Sequence, residues 1–207
     1  FTQVVVAKPV TLFILGDSLS AGYGLEANEA FPVKLEAALK PFYPDLRIIN
    51  GGVSGDTAAG GLARLDWALT DDVGGLVVEL GANDAVRGLD MGQTEAALDA
   101  ILLKAQTRHL PVLVLGMKAP PNMGADSVGR VDALYPKLAE KYTTLFYPFY
   151  LEGVAAVASI NQAEGRHRNA CGVDGIVAKI TQKGEEGRKL VKVTKGVASP
   201  DKAGSYG

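Results

Sequence analysis

The chain has 207 residues, with 21 Lys plus Arg against 23 Asp plus Glu, a formal net charge of −2 at pH 7. That balance excludes the broad basic surface that phosphate backbones demand, so no nucleic-acid partner is expected. A single cysteine excludes an intramolecular disulfide and any multi-thiolate metal site, and 25 Gly with 10 Pro fall short of low-complexity composition.

The length suits one domain with a tail, and no apolar run approaches the span of a membrane helix, so a soluble protein is expected. In chain order, short runs rich in Val, Ile, Leu and Phe predict strands at 10–15, 46–50, 76–80, 112–117 and 143–146. Their near-continuous hydrophobicity fits strands buried on both faces of a parallel sheet. Between them, amphipathic spacing predicts helices at 31–39, 57–69, 94–108 and 126–141, with another at 169–181. Alternation of this kind predicts an α/β class of three layers, α/β/α, with a five-stranded parallel sheet and helices on both faces. On the second predicted helix, Leu62, Leu65 and Trp67 read as packing residues, and Cys171 as a buried or partly buried thiol. Residues 182–207 hold six Lys or Arg against three acids. Their scattered valines show no useful period, so the domain is expected to end at 181 and a flexible basic tail to follow.

In a doubly wound sheet, ligands bind beyond the carboxyl ends of the strands, so the loops there carry the chemistry. Three stand out: Gly16-Asp17-Ser18-Leu19-Ser20, Asn50-Gly51-Gly52-Val53-Ser54-Gly55-Asp56, and Gly81-Ala82-Asn83-Asp84. Nucleophilic acyl transfer needs a hydroxyl or thiol, a base within reach, a group that orients the base and donors for the oxyanion. The chain has two histidines. His109 falls at the end of a predicted helix before Leu110-Pro111, a structural position, whereas His167 lies in the polar loop Glu164-Gly165-Arg166-His167-Arg168-Asn169 and is the candidate base. Ser18, at a strand-to-helix turn, is the candidate nucleophile. Taken singly, Ser18, Asn83 and Asp84 read equally well as turn or cap residues.

Together these blocks resemble the SGNH hydrolases, the GDSL esterase and lipase superfamily, over about residues 9 to 180. Val78-Glu79-Leu80-Gly81-Ala82-Asn83-Asp84-Ala85-Val86-Arg87-Gly88 and Tyr135-Pro136-Lys137-Leu138-Ala139 are similar, more narrowly, to its bacterial thioesterase, lysophospholipase and arylesterase subgroup. The resemblance implies a flavodoxin-like fold and a serine esterase acting on aryl or short- to medium-chain acyl esters through an acyl-enzyme. It makes Ser18 the nucleophile, His167 the general base and Glu164 its orienting partner. The oxyanion is then held by the backbone N–H groups of Ser18 and Gly55 and the side-chain amide of Asn83. It implies no metal, no cofactor and no obligatory protein partner, and leaves the oligomeric state open. It also implies a substrate groove bordered by Asp17 and by Met123 in the loop after the fourth strand, and a periplasmic or secreted location. The family pattern Asp-x-x-His-Pro is here Glu164-Gly165-Arg166-His167-Arg168, so the acid is one methylene longer and is expected to work as a suboptimal orienter. The alternatives are an acyl-CoA thioesterase or lysophospholipase, and a catalytically impaired binder of glycan or lipid.

Overall fold

The structure, a computed structural model, describes residues 9–119, 125–155, 157–163, 167–183 and 186–197. Five strands, β1 (Thr11–Gly16), β2 (Arg47–Gly52), β3 (Gly75–Glu79), β4 (Val112–Leu115) and β5 (Leu145–Tyr147), form one parallel sheet in the order β2-β1-β3-β4-β5. Every residue of β1, β3 and β4 is buried, as expected of strands covered on both faces. The edge strand β2 departs from that expectation. Arg47 and Asn50 are exposed and the rest half-buried, because its outer edge has no neighbouring strand among the described residues.

The helices are α1 (Ser18–Ala21), α2 (Phe31–Leu39), α3 (Ala58–Ala68), α4 (Ala82–Val86), α5 (Met91–Thr107), α6 (Ala125–Tyr142), α7 (Ala170–Ala178) and α8 (Glu186–Val197). On one side of the sheet α3 packs against α5 and α5 against α6; on the other α2 packs against α7, and α8 reaches β3, β4 and β5. Local chemistry sets the boundaries. Pro32 sits in the first turn of α2, Thr57 Oγ1 accepts the Gly60 N–H to start α3, and Asn169 Oδ1 accepts the Gly172 N–H to start α7. His109, with φ 55°, turns the chain out of α5 in the left-handed conformation, so its position is structural, ahead of β4 and away from the strands' carboxyl ends.

Residues 186–197 correct the expected tail. Leu190 and Val191 are fully buried and Thr194 nearly so. Positions 187, 190, 191 and 194 follow helical spacing, but Gly187 and Thr194 dilute the apolar signal on that inward face. Residues 198–207 lie outside the described residues. Two side chains are also corrected. Trp67 is 74 % exposed, since it lies about 200° round α3 from the buried Leu65. Cys171 is exposed, α7 turning Gly172 and Val173 inward instead.

The order β2-β1-β3 places a topological switch between β1 and β3, where successive crossovers leave to opposite sides and open a crevice at the carboxyl edge. The loops after β1, β2 and β3 all border it.

Candidate active site

Ser18 is the first residue of α1, directly after the buried strand β1. Asp17 caps the helix, its Oδ1 accepting the Leu19 N–H at 2.9 Å, and Gly22 ends it at φ 81°. The turn tolerates no side chain at Gly16: an added Cβ would stand 2.3 Å from Ser20 Oγ and 2.7 Å from Glu79 Oε2. The first amide of a helix has no acceptor within the helix, so the Ser18 N–H points outward from the turn.

The loop after β2 brings up Gly55 at φ 81°, a conformation that favours glycine. Arg87 Nη2 donates to the Gly55 carbonyl at 2.9 Å, and Arg64 braces the same loop from α3. Arg64 Nε donates to Asp56 Oδ2 at 2.7 Å while its Nη2 donates to the Gly16 carbonyl at 3.0 Å, locking the loops after β1 and β2 together. Asn83, in α4 after β3, completes the arc. Its Nδ2 donates both hydrogens, to Asp17 Oδ2 at 2.9 Å and to the Asp56 carbonyl at 3.0 Å. Asp84, buried beside it, accepts from the Ala58 N–H and the Thr94 hydroxyl, both at 3.0 Å, so it is a structural tie between α4, α3 and α5.

His167 reaches over this arc from the segment before α7. Its Nε2 lies 2.9 Å from Ser18 Oγ, hydrogen-bond distance for a nucleophile and its base. Gln162 holds the segment by donating its N–H to the His167 carbonyl at 2.9 Å. Arg168, 6 % exposed, donates from Nη1 to the Val154 carbonyl at 2.7 Å, which fastens the neighbouring loop. Glu164 and Arg166 lie outside the described residues.

Beneath the Ser18 turn sit two buried carboxyls. Glu79 Oε2 accepts the Ser20 hydroxyl at 2.7 Å and the Asp17 N–H at 3.2 Å. Burial, then the Asp17 charge, pushes Glu79 well above the usual carboxylate range, which favours its neutral form. Burial likewise pushes Asp17 up to about 6, against the pull of the Leu19 N–H and the His167 charge. Tyr135, buried close by, donates its hydroxyl to the Leu80 carbonyl and is raised by burial, then by the Asp84, Glu79 and Asp17 carboxyls.

A groove of about 610 Å³ opens in front of Ser18 and His167. Its walls are largely apolar, with Val86, Met117, Phe149, Leu151 and Ala155 beside the polar floor of Asp17, Gly55 and Asn83. That is the composition of a small-molecule site, an apolar body with a few convergent polar groups.

Residues 14–191 match the GDSL-like lipase/acylhydrolase family. The chain belongs to this family. Among GDSL-like relatives, it is 39 % identical over 167 residues to esterase TesA of Pseudomonas aeruginosa, covering 80 % of this chain and 82 % of that one. It is 37 % identical over 160 residues to thioesterase 1/protease 1/lysophospholipase L1 of Escherichia coli K12, covering 77 % and 76 %. The solved structure of AlinE4, an SGNH-hydrolase family esterase, superposes with a TM-score of 0.73 at 42 % identity, over 85 % of this chain and 95 % of that one. The family assignment makes the chain a carboxylic ester hydrolase.

Of the residues picked from the sequence, the structure brings Ser18, His167, Gly55, Asn83 and Asp17 to one groove. Met123, like Glu164, lies outside the described residues, while Met117 and Ala119 at the start of its loop line the groove. Glu79, Arg64, Arg87 and Tyr23 escaped sequence reasoning. Only Glu79 carried a signal, an acid inside the apolar run Leu76-Val77-Val78-Glu79-Leu80. Among the described residues no group of three or more His, Cys, Asp or Glu is placed to hold a metal ion, and no helix is long and apolar enough to cross a membrane.

Proposed function

We propose that the chain hydrolyses aryl and short- to medium-chain acyl esters through an acyl-enzyme on Ser18. The observation that carries this reading is the 2.9 Å contact between His167 Nε2 and Ser18 Oγ at the mouth of an apolar groove. In the proposed mechanism His167 takes the Ser18 proton as Oγ attacks the ester carbonyl, then delivers it to the leaving oxygen. Glu164 orients the imidazole. The oxyanion is received by the N–H groups of Ser18 and Gly55 and by Asn83 Nδ2, which releases Asp17 Oδ2 as it turns to the new charge. Water then repeats the sequence on the acyl-enzyme, with His167 again the base. The whole cycle needs side chains and backbone donors alone.

A thioester fits the same chemistry, since the groove holds the acyl half and does not distinguish an oxygen from a sulfur leaving atom. The Escherichia coli relative, named a thioesterase and lysophospholipase, favours keeping this second reading. The resemblance also extends the proposal to a periplasmic or secreted location, which fractionation of expressing cells tests.

A fluorophosphonate reagent tests the nucleophile. Stoichiometric labelling, with the adduct mapped by mass spectrometry to Ser18 and absent after Ser18→Ala, supports the reading. Labelling elsewhere, or none, contradicts it.

A further inference from the structure

The groove has two ends, and mechanism says which half of an ester lies at each. As the C–O bond breaks, the departing oxygen must sit within hydrogen-bond reach of His167 Nε2, so the alcohol half lies on the histidine side of Ser18. The acyl half is left the apolar wall, which includes Val86, Met117 and Leu151.

One side chain shares the histidine side and remains open to a ligand. The Tyr23 ring lies 4.6 Å from the His167 ring, tilted by 36°, lines the groove and is 55 % exposed. Exposure alone means little for a tyrosine, since single exposed apolar residues are common. What distinguishes Tyr23 is how firmly it is held. Its N–H donates to the Ser18 carbonyl at 3.2 Å, and its carbonyl accepts Gln162 Nε2 at 2.6 Å. The same Nε2 donates to the Arg168 carbonyl at 2.9 Å, and the Gln162 N–H donates to the His167 carbonyl at 2.9 Å. Gln162 therefore buckles the turn that carries the nucleophile to the segment that carries the base, with Tyr23 at the join. Gly22 and Gly24 flank it at φ 81° and 72°. A Cβ at Gly24 would stand 2.3 Å from Gln162 Oε1, so the close approach depends on glycine there. An aromatic face fixed in this way loses little freedom when a ligand stacks on it.

We propose that Tyr23 is the platform for the alcohol half of the substrate and selects esters whose leaving group is a flat aromatic alcohol. The proposal rests on the esterase reading above and adds to it the residue that recognises the leaving group. In the Michaelis complex the aryl ring lies against the open face or edge of Tyr23. The phenol oxygen then leaves toward His167 Nε2, takes the proton there, and departs as neutral phenol while the acyl group stays on Ser18.

The test compares phenyl acetate with cyclohexyl acetate, whose acyl halves are identical, and reads the ratio of kcat/KM for the two. Tyr23→Leu is expected to lower that ratio about tenfold, the size of one lost aromatic contact. Tyr23→Phe is expected to hold it within about twofold of the wild type. The pH profile of kcat/KM keeps its shape in Tyr23→Leu if the ring acts on substrate. An unchanged ratio, or equal losses on both esters with a displaced profile, overturns the platform and leaves Tyr23 as a support for His167. If Tyr23→Leu fails to fold, the wild type decides through product inhibition. Phenol is expected to bind about tenfold more tightly than cyclohexanol, and equal inhibition overturns the proposal. Turnover of neither acetate by the wild type contradicts the esterase reading itself and takes the platform with it. An unchanged ratio with both acetates turned over contradicts the platform alone.

Discussion

Asn83 Nδ2 donates to Asp17 Oδ2 at 2.9 Å, across the crevice between the loops that follow β3 and β1. The amide proposed to meet the oxyanion is thus held by a carboxylate, and its second hydrogen is fixed on the Asp56 carbonyl. Meeting the oxyanion exchanges one charged acceptor for another, the hydrogen leaving Asp17 Oδ2 while the Asp56 contact keeps the amide in place. Asn83→Ala is expected to lower kcat by about 10²–10³ with KM little changed. Steady-state kinetics on a p-nitrophenyl ester check this, and an undiminished kcat removes Asn83 from the oxyanion site.

The buried acids set a pH dependence of stability. Glu79 and Asp17 both carry folded-state values above their ordinary ones, so the folded chain binds more protons than the unfolded chain over that interval. Stability then falls as pH rises. For Asp17 the interval runs from 3.8 to about 6, which amounts to about 3 kcal/mol. Acids with lowered values, the exposed Asp72 and the half-buried Asp99, act in the opposite sense, so the wild-type curve alone does not isolate the effect. Glu79→Gln does. The variant keeps the shape and an acceptor for Ser20 and removes the ionisable group. Glu79 Oε1 has no hydrogen-bond partner among the described residues, so the amide there breaks no contact. Both proteins are expected to melt alike at pH 4, and the variant at the higher temperature at pH 8. A wild type that gains on the variant as pH rises contradicts a neutral Glu79.

Helix α8 belongs to the folded unit. Leu190→Ala, at a fully buried site, is expected to cost about 2–5 kcal/mol in urea unfolding, and a chain ending at residue 183 to lose its cooperative transition. A truncated chain that unfolds like the full one would restore the reading of this segment as a loose tail.

The longer acid at 164 gives a kinetic prediction. A carboxylate displaced by order 1 Å misorients the imidazole, and errors of that size cost about a hundredfold in rate. Glu164→Asp is accordingly expected to raise kcat with KM nearly constant. A kcat that stays level or falls shows that the surrounding loop has adapted to glutamate.

Sequence periodicity located all five strands within about two residues at most boundaries, because runs such as Leu12-Phe13-Ile14-Leu15 and Leu76-Val77-Val78 are buried on both sides and need no alternation. Helix α2 was legible to the residue, with Pro32 in its first turn. The short helices α1 and α4 were not, since four and five residues show no period. Helix α8 hid because glycine and threonine occupy two of its inward positions, at 187 and 194. At the site, Ser18, Asn83 and His167 were legible because a nucleophile, a donor and a base are scarce residue types in telling loops. Their supports were not. Nothing in local sequence announces that Arg64 reaches the Gly16 carbonyl 48 positions away, or that Gln162 grips Tyr23 across 139.

The central claim is that Ser18, worked by His167, cleaves acyl esters. The most direct measurement is the hydrolysis of p-nitrophenyl esters from acetate to long acyl chains near pH 8, with Ser18→Ala purified identically as the blank. The account predicts turnover by the wild type that falls by about 10³-fold or more in the variant, with an optimum chain length that sizes the apolar groove. Equal rates in the two proteins across the series would contradict it.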